Sequence, residues 1–169
     1  CETHGKWALA LSLLLSMSGM RVTPNHIICS AAISACGKGG EWALALSLLS
    51  SMPGMWATQN EISYNAAISA CEKGGEWALA LTLLSSMPSM LVTPISCNAA
   101  ISACEKGGEW ALAMSLLSSM PRMRVTPDEI SYTAASRACE KGGEWALALS
   151  LLSSVPRCQV SGDAGRDQL

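Results

Sequence analysis

Residues 61–88 read EISYNAAISACEKGGEWALALTLLSSMP, and this stretch decides the fold. Tyr64, Ala67, Ile68 and Cys71 recur at spacings of three and four, which places them on one face of a helix over about 62–73. Asn65, Ser69, Glu72 and Lys73 fall on the opposite face. Gly74-Gly75 ends this helix, because glycine tolerates the left-handed cap conformation. Glu76 is then expected in the first turn of a second helix, where a negative charge suits the free N–H groups. That helix runs through Ala78, Leu79, Ala80, Leu81, Leu83 and Leu84, all strong helix formers, to about Met87. Its few polar residues, Thr82, Ser85 and Ser86, imply that most of its surface is covered. Pro88 stops it, and a linker ending in Thr93-Pro94 follows.

The same phrase recurs along the chain. Gly-Gly-Glu-Trp-Ala begins at Gly39, Gly74, Gly107 and Gly142, with a variant, His-Gly-Lys-Trp-Ala, at His4. The tryptophans Trp7, Trp42, Trp77, Trp110 and Trp145 lie 35, 35, 33 and 35 residues apart. A register set at Glu61 gives complete units at 26–60, 61–94, 95–128 and 129–163, a partial unit at 1–25 and a tail at 164–169. The two-residue deficit falls at Thr93-Pro94-Ile95, so unit 61–94 is read as shortened at its end and unit 95–128 as lacking its first residue. Both helices of each unit survive it. One hairpin cannot bury its own apolar surface, and a buried leucine is worth roughly 1.5–3 kcal/mol. Stacked neighbours can bury it, so the expected fold is all-α, a solenoid of helical hairpins forming an α-α superhelix.

Composition narrows the function. Of 169 residues, 50% are hydrophobic and 14% charged, well below the roughly 25% charge of ordinary soluble domains, which argues against charge-driven disorder. A net charge of -2 excludes a broadly basic surface but leaves room for a local basic stripe. No apolar run approaches the roughly twenty residues of a membrane span. Eight cysteines suggest a disulfide scaffold, but Cys36, Cys71, Cys104 and Cys139 are one position of the repeat, read as a small buried hydrophobe. The chain opens on Cys1 inside a unit and is read as a piece of a longer protein, so targeting cannot be judged from it.

The units resemble pentatricopeptide repeats, the 35-residue helical hairpins of organellar RNA-binding proteins. Ile62, Tyr64, Asn65 and Ile68 carry the likeness in the first helix, and Lys73 and Gly75 at the turn. Ala80, Leu81, Leu83, Leu84 and Met87 carry it in the second helix, and Thr126-Pro127-Asp128 in the linker. The tetratricopeptide repeat is the nearest rival, but its tryptophan lies early in the first helix, and here it opens the second. The resemblance implies about nine helices in a right-handed superhelix, with the first helices on the concave side.

It also implies where RNA would be read. In that family the fifth and last residues of a unit meet the base edge. Here the pairs would be Ser30 with Asn60 for adenine, Asn98 with Asp128 for uracil, and Thr133 with Asp163 for guanine. Asn65 stands alone, its partner lost in the short linker, and suggests a pyrimidine. The order implied is 5′-A-(C/U)-U-G-3′. Ile27, Ile62, Ile95 and Ile130 would pack on base faces, and Lys38, Lys73, Lys106 and Lys141 would contact phosphate. Each position has a plainer reading too: helix-start hydrogen bonding, inter-repeat packing, and a cation placed well on a helix dipole.

Enzyme chemistry finds no support in the sequence. Histidine occurs only at His4 and His26, no Cys-x-x-Cys pair exists, and no glycine-rich phosphate loop precedes Lys and Ser/Thr. No catalytic residue, metal or cofactor is expected. The expected partner is single-stranded RNA, with other organellar RNA-processing proteins beside it, in mitochondrion or chloroplast by resemblance alone. A helical scaffold for protein partners, or a repeat fragment with no function of its own, is the alternative.

Overall fold

A computed structural model describes residues 8–12, 16, 25–55 and 57–154. Trp7, Trp56 and Asp163 lie outside them. After a helical stretch at 8–12, four hairpins follow in series. They are α1 (His26–Gly39) with α2 (Trp42–Ser51), and α3 (Glu61–Gly74) with α4 (Trp77–Ser86). Then come α5 (Pro94–Gly107) with α6 (Trp110–Ser119), and α7 (Glu129–Lys141) with α8 (Trp145–Ser154). No strand occurs among the described residues. The fold is the all-α solenoid that the repeat implies.

Each first helix packs on its own second helix, on the second helix before it, and on the first helices to either side. The second helices make no comparable contact with one another. The row of first helices is therefore the tightly packed row of the array. Small side chains allow this approach: Ala67, Ala70, Cys71, Ala100, Ala103 and Cys104 are fully buried. A β-carbon added at Gly37 of α1 would stand 2.9 Å from that of Ala70 on α3. Ile33, Ile68 and Ile101 fill the centre of successive units. The unpaired thiols behave as small apolar groups; burial, with Glu76 beside it, pushes Cys71 up to about 11.

The two glycines of each turn have different tasks. Gly75 takes φ 78°, and its successor's N–H reaches back to Cys71 at 2.9 Å, closing a Schellman motif. Gly74 is not left-handed. It lies against the indole of Trp42 from the preceding unit, and a methyl there would collide with Cδ1 of that ring. Gly107 meets Trp77, and Gly142 meets Trp110, in the same way. Glu76 lies one residue earlier than expected: it is the N-cap of α4, and its side chain makes no capping bond.

The short unit corrects one boundary. Spacing put the missing residues between Pro94 and Ile95, but α5 begins at Pro94, with Thr93 as its N-cap. The Thr93 side chain accepts from the Ser96 N–H, and Ser96 Oγ accepts from the Thr93 N–H at 2.9 Å. This reciprocal box, with proline at the first helical position, fixes the helix start by local chemistry. The deficit is absorbed upstream. Met52 and Met120 continue helically into short 3-10 turns, whereas Met87 turns extended at ψ 136°.

The Gly–Trp contact makes a separable prediction. Gly107→Ala should lose about 1–3 kcal/mol by overpacking against Trp77. Gly108→Ala should lose roughly 1–2 kcal/mol through left-handed strain. Urea unfolding in wild-type and Trp77→Ala backgrounds should show strong coupling for Gly107→Ala and none for Gly108→Ala.

Candidate nucleic-acid interface

The groove is built by helix starts. Asn25, Asn60, Thr93 and Asp128 are the N-caps of α1, α3, α5 and α7, each taking a hydrogen bond from the second or third residue of its helix. Ser63, Ser96 and Ser131 complete capping boxes and are fully buried. One turn further in stand Ser30, Asn65, Asn98 and Thr133. Because each first helix lies beside the next, its fifth residue comes next to the following N-cap.

The pairs differ in how tightly they are held. Asn98 Nδ2 donates to Asp128 at 3.0 Å (Oδ1) and 3.3 Å (Oδ2), while Asn98 Oδ1 accepts from Ser131 Oγ at 2.6 Å. Burial pushes the Asp128 carboxyl up, but hydrogen bonds from Ser131, Asn98 and Ile130 outweigh it and hold it below the usual range. It is therefore an anion at neutral pH. Asn65 Nδ2 reaches Thr93 Oγ1 at only 3.4 Å. Ser30 and Thr133 donate their hydroxyls to their own helices, to His26 O and Glu129 O, both at 2.7 Å. Asp163, the expected partner of Thr133, lies outside the described residues.

The isoleucines stand out of the core. Ile27, Ile62, Ile95 and Ile130 are 63%, 59%, 67% and 64% exposed, whereas Ile33, Ile68 and Ile101, also on first helices, are fully buried and Ile28 is half-buried. A cleft of about 330 Å³ is lined by Ile27 and Ile62 together with His26, Ser30, Ser34 and Asn60. One cleft thus gathers a predicted base-reading pair and two predicted base-packing residues.

The lysines divide. Lys106 Nζ lies 2.9 Å from Glu72, and Lys141 Nζ 2.8 Å from Glu105, each on the unit before. Ser102 also donates to Glu72, at 2.9 Å. Lys38 and Lys73 are exposed and make no ion pair among the described residues. The reason for Lys73 is in the sequence: Gly37 stands where later units carry Glu72 and Glu105. Reading each unit alone misses this ladder, whose signal is the Glu-Lys dipeptide repeated one unit apart. It also misses Thr93, whose signal is the Thr-x-x-Ser box.

Among the described residues, no group of three or more His, Cys, Asp and Glu is placed to hold a metal. Nor is any described helix long and apolar enough to cross a membrane.

First helices packed tightly on one another, each paired with its own second helix and each started by an N-cap side chain, define a helical-hairpin solenoid. The family model described as PPR repeat matches residues 27–55, 62–90 and 95–125, more than half the chain. The chain belongs to the pentatricopeptide repeat family. It is similar in fold to the PPR domain of Arabidopsis thaliana protein-only RNase P 1, solved in complex with tRNA. The TM-score is 0.73 at 14% identity, over 88% of this chain and 80% of that one. The pentatricopeptide repeat protein PPR10, in complex with an 18-nt psaJ RNA element, gives 0.50 at 22% identity. That match covers 89% of this chain, which spans 28% of the PPR10 chain. No curated protein matches the sequence.

Asp128 offers a test of the capping geometry. Its folded carboxyl is depressed, so the stability it adds is fully present above its unfolded value of about 3.9 and is lost as pH falls through the lower native value. Asp128→Ala should lose about 1–2 kcal/mol at pH 7. Asp128→Asn should keep the cap and remove this site's share of the acid dependence, read from urea midpoints at pH 7 and pH 3.

Proposed function

We propose that this chain binds single-stranded RNA along the inner groove, one base per repeat, with sequence preference set at the helix starts. The cleft lined by Ile27, Ile62, Ser30 and Asn60 carries this reading. Its apolar side chains suit the faces of a base and its few polar ones the edge, and its size is that of small-ligand clefts, roughly 300–1,000 Å³. RNA modules that read single strands combine the same two elements, packing on base faces and hydrogen bonds to base edges. Family membership supports the reading, as do two relatives in fold that are solved with RNA. The order expected is 5′-A-(C/U)-U-G-3′, from Ser30/Asn60, Asn65, Asn98/Asp128 and Thr133/Asp163. The role is that of a binding module, serving organellar RNA processing, stability, editing or translation in mitochondrion or chloroplast.

A scaffold for a protein partner is the second reading. What favours it is that Lys106 and Lys141 are already paired in a chain of net charge -2.

Fluorescence anisotropy at fixed salt separates the two. The chain should bind a short RNA containing A-(C/U)-U-G more tightly than a scrambled strand, and a duplex less well, because its edges are already paired. Equal affinity for all three would discard base reading.

The ion-pair ladder gives a further check. An exposed pair is worth about 0–1 kcal/mol, so Glu72→Gln should scarcely change stability. It should free Lys106, tighten every RNA at low salt, and steepen the salt dependence by about 0.7 in log–log slope. Lys38→Ala with Lys73→Ala should flatten it without changing base preference.

A further inference from the structure

The short unit leaves a mark away from the helix starts. Met120 continues helically into the turn Met120–Met123, but Met87 turns extended, and the turn after it falls at Ser89–Leu91. Met90 is 88% exposed there, whereas Met123, at the same distance in sequence from its helix, is half-buried. Two adjoining clefts lie at these turns, and Met123 lines both. The first, of about 400 Å³, is lined by Leu81 and Leu84 of α4, Leu116 of α6 and Met123, with Thr82 and Ser85 among them. The second, of about 620 Å³, is lined by Ser89, Met90 and Val92 of one linker and by Arg122 and Arg124 of the next. Together they make a surface that is apolar at one end and cationic at the other.

The arginines have no carboxylate to answer. Both are exposed, and neither side chain makes a hydrogen bond or ion pair among the described residues. No acidic residue lines either cleft. Arg124 is also the one residue other than glycine with a positive φ among the described residues, at 61°. Its N–H closes the turn on Met120 O and Pro121 O. Glycine takes such a conformation freely, and a side chain does not. The equally long linker of unit 26–60 has Gly54 and Trp56 at these two places, so the repeat itself does not require the arginines. The strained position holds a cation at the cleft.

We propose that these clefts form a docking site for a protein partner, taken by an amphipathic helical segment with its carboxylates at one end. Its aliphatic side chains lie against α4 and α6, as a helix lays its apolar face in a groove, and its Asp or Glu groups meet the guanidinium forks of Arg122 and Arg124. Exposed methionine suits such a surface, because its flexible thioether adapts to the shape of a partner. A nucleic-acid strand fits less well: no aromatic ring lines either cleft to stack a base, and a strand has no aliphatic groups for Leu81, Leu84 and Leu116. The site shares no residue with the helix-start groove and stands whether or not that groove reads RNA.

The test uses a fluorescein-labelled amphipathic peptide, leucines at helical spacing followed by a run of glutamates, and a matched peptide with lysines in place of the glutamates. Anisotropy on the full chain should show the glutamate peptide binding at least about tenfold more tightly. Arg122→Ala with Arg124→Gly should weaken it at least about fivefold, and Met90→Ser about threefold. Lys38→Ala with Lys73→Ala removes the same charge elsewhere and should leave peptide binding as in wild type. Arg124→Gly relieves the backbone and Met90 is exposed, so the variants should melt as wild type does by circular dichroism. Equal binding of the two peptides, no binding of the glutamate peptide, a folded arginine variant that holds it as wild type does, or an equal loss in the lysine variant overturns the proposal. The arginine variant is also titrated with the A-(C/U)-U-G strand: weakened RNA with peptide binding intact assigns the arginines to phosphate and overturns it too.

Discussion

The groove exists because an indole needs a missing side chain. Trp42, Trp77 and Trp110 each press on the glycine that closes the next first helix, at 74, 107 and 142, with no room for a methyl group. This contact sets how near one unit comes to the next. Near approach in turn lets Ala70 face Gly37, seals Cys71 and Cys104, and brings each fifth residue beside the following N-cap. Stability in such an array is a sum of unit terms and nearest-neighbour interfaces. Removing the glycine would loosen an interface, and the polar pair spanning that interface would separate with it.

Folding and the recognition proposed above would draw on the same atoms at the helix starts. Asp128 caps α7 through Oδ1 and holds Asn98 through the same carboxylate. Asn60 caps α3 and also lines the cleft between Ile27 and Ile62. A good N-cap residue must be short, polar and able to accept. That requirement leaves Asn, Asp, Ser and Thr, which differ in whether they can also donate. The cap position can therefore vary its hydrogen-bond character from unit to unit while every helix still starts correctly. The isoleucines complement this, since an apolar side chain at the helix start costs the helix little and needs a cover.

Much of this was legible in the sequence because the repeat states it four times. Gly-Gly-Glu-Trp marks every turn, and period-3.6 patterning marks every first helix, so the hairpin followed from residues 61–88, and stacking and an all-α solenoid from their recurrence. The pairing of Asn98 with Asp128 was implied by the family resemblance once the register was set. Other features were not, because they depend on contacts between units. Identical spacing hid that Gly74 answers to Trp42 and Gly75 to its own backbone angle. Thr93 was assigned to a linker by counting residues, whereas capping chemistry counts backward from Ser96. Lys106 and Lys141 looked free because their carboxylates lie a full unit away.

The units are not equally strong, and this bears on recognition. Ile33, Ile68 and Ile101 fill the first three cores, but the fourth has Ser136 there, buried and hydrogen-bonded only at 3.4 Å to Ala148 O. Replacing a large buried aliphatic group with a small one costs roughly 2–5 kcal/mol in well-packed cores. Trp145, which has no following glycine among the described residues, is 61% exposed, and Leu149 is 68% exposed. Both deficits fall on α7 and α8, so local opening of the described array begins at that end. Thr133 sits on this weaker unit, its hydroxyl already committed to Glu129 O in its own helix. Asn98 and Asp128 are better placed: the interface they span has Trp110 seated on Gly142, and their hydrogen bonds are already made before any base arrives. On the RNA-binding reading proposed above, preorganisation of that kind would concentrate discrimination at the interior pair, because no part of the contact energy goes into arranging the protein.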